Sequence, residues 1–346
     1  MSHVADIAPK AKMSEATEQT TKSEKSNSGF LVGPVFDLLF VANLYWPLVL
    51  VADILGGETW HGGMLFWQVY FVTAPHRWIT LLLVGLDRNK TRGREWNFIA
   101  VTGGIVLGCL ALQVSSASLL CLGAIDYVWN AWHFASQHHG IYRIYERNNK
   151  KQSVRVGLLE KVLFRGFLLY VIARVAGVGW HVGDPTWLWH LKSLDFAVCI
   201  VPLALLFLHW RSRVSTQGGM GLVYYASVMA LFVAMLGAAH FEKRQLVLQL
   251  ALASAVYHSV EYFAIVTWAS ATDSNRQRSD KMGTMARNWT FFVLFFIFFL
   301  GVTNYALAYG YEKSWILLNL IVAFLHYAYD GMIWKSRRPR KVGGAA

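Results

Sequence analysis

Four histidines sit at the same position within four separate apolar runs of this chain. His76, His133, His258 and His326 each precede a polar or basic stretch by about ten residues. At 1.5 Å per helical residue, each lies roughly 13–15 Å from that end of its run. Each also has a polar neighbour one helical turn further on: Thr80, Gln137, Glu261 and Asp330. Residues at these offsets share a helix face. The pattern therefore predicts a layer of imidazoles with a layer of oxygen groups about one turn, or 5 Å, below it. Carboxylates in such a layer orient metal-bound histidines or bind a second ion. His258 and Glu261 have the three-residue spacing of a ligand pair in helix-bundle di-iron proteins, with the order reversed. A single histidine within a membrane span is commonly an interhelical hydrogen-bonding residue. Four at matched depth, each with a polar partner, point to a shared metal or haem site, with a structural polar network as the alternative.

The run 117–142 is the most polar of the set. Asp126, Asn130, His133, Gln137 and Gly140 recur at helical spacing and form one stripe facing the interior. His138 and His139 follow and project from other faces, so a kink or unwound turn is expected if both are to join His133. The candidate metal ligands are thus His76, His133, His258, His326, His138 and His139. Glu261, Asp330, Gln137 and Asp126 are the candidate catalytic groups. His61, His181, His190 and His240 fall in connections and are expected to be solvated, and His209 to be interfacial. Asp37, Asn43 and Asn304 read as packing contacts or the lining of a path.

The elements that must position these residues are transmembrane helices. The 346 residues are 55% hydrophobic and 15% charged, with a mean hydropathy of +0.37; soluble domains carry roughly 25% charged residues. About 20 apolar residues cross a bilayer. Ten spans are expected, at 34–54, 63–86, 97–114, 117–142, 158–179, 195–211, 219–239, 245–268, 290–310 and 314–334. Basic residues concentrate in alternate connections, from Arg88–Arg94 to Lys335–Lys341. Under the positive-inside rule this gives an all-α polytopic bundle with both termini cytoplasmic, in the bacterial inner membrane. The net charge of +12 is accounted for by these loops and not by a nucleic-acid surface. Residues 1–29 read as a disordered cytoplasmic tail, 30–335 as the transmembrane domain, and 336–346 as a basic tail on the anionic leaflet. Trp60, Trp180, Trp187 and Trp189 fall in outer connections, where 180–194 is expected as a short interfacial helix. Cys109, Cys121 and Cys199 lie in apolar segments and read as small buried hydrophobes.

Imidazole with a few carboxylates suits iron, zinc or copper, and no cysteine accompanies the set. A nitrogen-rich site within hydrocarbon suits O₂ and an apolar substrate. A non-haem iron oxygenase with one or two ions, acting on a lipid-like molecule, is the leading expectation; zinc, copper or haem are alternative cofactors. A haem- or quinone-binding electron-transfer subunit and a non-enzymatic subunit or transporter are the competing functions. The expected partners are membrane lipids and, at the basic cytoplasmic loops, a redox protein.

Pro75-His76, His133-Phe134, His258-Ser259 and His326 with Asp330 resemble, in order, elements of the membrane carotene-cleaving dioxygenases associated with microbial rhodopsins, the Brp/Blh family. The resemblance implies iron bound by histidines on several spans, and cleavage of a central double bond of carotene with O₂. Thr80 and Gln137 stand where that pattern has acids, and the third motif lacks a second histidine. His133 with His138-His139 also resembles the first box of membrane desaturases and hydroxylases, whose further His-x-x-His-His boxes are absent.

Overall fold

In a computed structural model of the chain, the described residues are 29–116, 118–148, 154–180, 184–213, 219–274 and 288–334. They are helical throughout, and among them no strand occurs. Residues 1–28 of the expected N-terminal tail, Lys335 with the whole expected tail 336–346, and residues 149–153 and 275–287 lie outside the described residues, as do His181 and the side chains of His209 and Trp60.

We number eleven helices. α1 (Pro34–Val41) begins at a proline and ends in a π turn, Asp37–Val41. α2 (Trp46–Trp67) runs through a second π segment, Gln68–Thr73, into α3 (Ala74–Leu86). After a single turn at Arg88–Thr91 come α4 (Glu95–Ser116), α5 (Leu120–Asn148), α6 (Val154–Val175) and α7 (Pro185–Arg213). α8 (Met220–His240), α9 (Arg244–Ser274), α10 (Trp289–Gly310) and α11 (Glu312–Ile333) complete the series.

Among the described residues seven helices are long and apolar enough to cross a membrane, or eight if the bent pair Pro34–Val41 and Trp46–Gly56 forms one span. This is a membrane protein's composition. The outward faces agree with it: Leu294 and Phe298 on α10 and Ile99 and Leu107 on α4 are each more than half exposed, an apolar surface that water would not tolerate. Two of the ten expected spans fall short by composition. α5 carries the polar stripe, and α6 carries Glu160, Lys161, Arg165 and Arg174. The interfacial helix expected at 180–194 does not form as a separate piece, because Pro185 starts α7, which continues unbroken to Arg213. Cys109 is buried as expected, but Cys121 is exposed.

Three local features fix the frame. Asn43 adopts a left-handed backbone (φ 44°) and donates its amide to Val41 O at 3.2 Å, ending α1 as a cap. Asp53 and His61, both assigned to α2, meet at 2.9 Å. Pro75 has no N–H to give to Phe71, and the π segment lies immediately before it.

α3, α11, α5 and α9 form a closed circuit of neighbours: α3 packs on α11, α11 on α5, α5 on α9 and α9 on α3. α8 backs α5 and α9, α10 backs α3 and α11, and α6 and α7 form an outer layer against α8. The largest core cluster runs through α5, α6, α8 and α9 and includes Tyr142, Phe164, Tyr225 and Phe232.

Candidate metal centre

The helices of that circuit carry the four histidines, one each, and all four are buried. The rings follow the circuit. Centroids lie 5.0 Å apart for His76 and His326, 4.6 Å for His326 and His133, 5.2 Å for His133 and His258, and 5.3 Å for His258 and His76. The matched depth read from the sequence is thus a closed ring of imidazoles. Nε2 of His133 is 3.1 Å from Nε2 of His326. Nitrogens bound to one ion at about 2.1 Å sit about 3 Å apart when they take adjacent positions.

The oxygen layer below pairs across helices. Thr80 on α3 meets Asp330 on α11 at 3.4 Å, and Gln137 on α5 donates to Glu261 on α9 at 2.9 Å. Each carboxylate is also held by a buried tyrosine: Tyr262 donates to Asp330 Oδ1 at 2.6 Å, and Tyr224 on α8 donates to Glu261 Oε2 at 2.8 Å. His326 Nδ1 lies 2.7 Å from Thr80 Oγ1, and His76 Nδ1 lies 3.1 Å from Ser259 Oγ. A proton on His326 Nδ1, donated to Thr80, leaves the Nε2 lone pair facing His133. Such outer contacts set ring orientation and tautomer at metal sites. Phe134 stacks on His258 at 3.8 Å and fixes the plane of that ring.

His138 joins the cluster and His139 does not. His138 Nδ1 is 2.9 Å from Glu261 Oε1, and its ring is 5.9 Å from that of His258. α5 is continuous, without the kink that bringing both histidines to His133 would take, and His258 on the facing helix stands between His133 and His138 and reaches both. His139 points the other way, against Phe164 of α6 at 5.6 Å. Asp126 also stands apart, two turns from His133, accepting a hydrogen bond from Tyr327 at 3.0 Å. Gln137 donates its amide to Glu261 and to the His258 carbonyl.

Three groups of buried side chains bring one ligand atom each within 4.8 Å of one another: His76, His258 and His326; His133, His326 and Asp330; and His138, His258 and Glu261. Both nitrogens of His258 and Nε2 of His138 are buried without a hydrogen-bond partner. A buried polar atom left unsatisfied costs about 1–3 kcal/mol, and a cation bound through one nitrogen of each ring lowers that penalty. The donor set therefore fits a transition metal.

Sequence reasoning missed Tyr262 and Tyr224. Tyr262 lies four residues after His258, so helical spacing could have found it. Tyr224 sits on a helix with no other member of the centre and left no signal. Arg77, half-buried beside His76, was also passed over. Of the histidines expected to be solvated, His190 is exposed, but His240 is buried and lies 3.0 Å from Asp195. Asp195 also takes a two-pronged contact from Arg174 at 2.9 and 3.0 Å and a hydrogen bond from Tyr170 at 2.6 Å, joining α6, α7 and α8.

No protein-family profile, curated protein or solved structure matches this chain.

Proposed function

We propose that this chain is a ten-span membrane metalloenzyme, with its basic loops cytoplasmic, that uses non-haem iron and O₂ on an apolar lipid- or isoprenoid-like substrate. The observation that carries the reading is the closed imidazole ring with two buried carboxylates beneath it. Imidazole and carboxylate ligands with open positions are the donor set of non-haem iron oxygenases, and iron bound there would supply O₂ activation. The 3.1 Å separation of the His133 and His326 Nε2 atoms favours a bare ion over a haem, whose axial ligands stand on opposite faces of a macrocycle.

The chain's own residues prepare the site. Thr80 and Ser259 orient His326 and His76, the two tyrosines aim the carboxylates, and the surrounding helices exclude water. An apolar cavity of about 520 Å³ lies beside the centre's helices, lined by Val49, Met64, Trp67, Gln68, Val72 and Val256. Val72 is one turn before His76 and Val256 is two residues before His258. A cavity of that size and lining suits a hydrocarbon chain entering from the bilayer.

Elemental analysis and an optical spectrum of the detergent-purified full-length protein test the reading. Stoichiometric iron without a Soret band is the expected result. Absence of any stoichiometric transition metal overturns it, and a Soret band replaces it with a haem protein.

A further inference from the structure

The geometry points to a centre built for two metal ions, each held by two histidines and one carboxylate. This rests on the metalloprotein reading above and deepens it. Of the three ligand groups, two share no member: His133, His326 and Asp330 form one, and His138, His258 and Glu261 form the other. Two histidines with one carboxylate and open positions is the composition of the facial triad that holds iron in many oxygenases. Here it occurs twice, side by side, with the His133 and His258 rings 5.2 Å apart.

The two sets are built alike. In each, α5 supplies one histidine (His133 or His138), and a second helix supplies both the other histidine and the carboxylate. That helix is α11 for His326 and Asp330, four residues apart, and α9 for His258 and Glu261, three apart. In each, a buried tyrosine from a helix outside the set or from the facing helix donates to the carboxylate: Tyr262 to Asp330 and Tyr224 to Glu261. His76 stands between the sets, grouped with one histidine of each.

The second set carries its own sign of a missing ligand. Both ring nitrogens of His258 and Nε2 of His138 lack a hydrogen-bond partner, Glu261 Oε1 standing 3.9 Å from His258 Nδ1, and both residues are 1% exposed. One ion held by His133, His326 and Asp330 would leave both rings without a ligand role, whereas a second ion engages one nitrogen of each. Each carboxylate would also face one cation, which offsets its charge in a buried site.

Cobalt(II) titration of the chelator-stripped, detergent-purified full chain tests the assignment, with bound metal counted by elemental analysis after desalting. Wild type is expected to hold two ions per chain. The pair H138A and E261Q is expected to hold one, and the pair H133A and D330N is expected to hold one. Size-exclusion profiles matching wild type show that both variants are folded. One ion in wild type overturns the two-ion centre and leaves the metalloprotein reading standing. No ion in wild type overturns both. Two ions that survive both pairs of substitutions lie elsewhere and overturn the assignment.

Discussion

Tyr262 donates a hydrogen bond to Asp330 at 2.6 Å, from a different helix and within the buried interior. The carboxylate is thereby aimed at the His133–His326 pair, 3.9 Å from the Nε2 of each. Outer contacts of this kind change metal affinity by about 10–100-fold when removed. Tyr262→Phe is expected to weaken metal binding by that factor with little change in secondary structure. Isothermal titration with cobalt(II) or iron(II) measures it; unchanged affinity would mean that Asp330 does not face a metal.

Metal removal is expected to loosen the bundle. A ligand that binds only the folded state at 100 times its Kd stabilises by about 2.7 kcal/mol. The chelated wild type should therefore unfold at a lower temperature than the loaded protein, while a variant that has lost its metal, His133→Ala with His326→Ala, should be insensitive to chelator. Thermal unfolding in detergent, followed by intrinsic fluorescence, makes the comparison.

The Arg174–Asp195 pair is a separate, structural prediction. It is buried, two-pronged, and shared with Tyr170 and His240. Removing one partner of a buried pair costs about 3–5 kcal/mol, because the other charge is stranded. Arg174→Ala should lower the unfolding temperature strongly while leaving the metal content of the surviving folded protein unchanged. A variant that loses metal in proportion to Tm would join this cluster to the centre.

Gly301 tests how α10 supports the histidine of α3. A Cβ there would overlap the Phe71 ring in the π segment. Overpacking of this kind costs about 1–3 kcal/mol. Gly301→Ala is expected to destabilise by that amount and Phe71→Leu to recover most of the loss, a coupling that a double-mutant cycle reads directly. Additive effects would show that the two residues do not share the contact.

The centre was legible in the sequence where the physics is local. Helical period ties His258 to Glu261 and His326 to Asp330, and the apolar runs with their basic ends set a common depth. What one sequence does not carry is which helix faces which. Thr80 and Asp330 are 250 residues apart, and nothing in either run announces their pairing. His138 was placed on another face correctly, yet it joins the centre because His258 stands between it and His133. His240 was read as solvated because its partner, Asp195, lies 45 residues away on a different helix. Among the described residues seven helices, or eight with the bent pair, are long and apolar enough to cross a membrane. α5 and α6 fall outside that set because they bear polar and charged residues.

The π segment Gln68–Thr73 has a consequence for how this protein tolerates change in length. A wide turn holds one more residue than an ordinary one, and each residue of an α-helix advances the chain by about 100°. Shortening the segment by one residue would let it close as a regular turn, leaving α2 and His76 both close to their present bearings. The same deletion two turns later, within α3, would swing Thr80 away from Asp330. The chain thus contains a place where its register can be trimmed without moving the imidazole that follows.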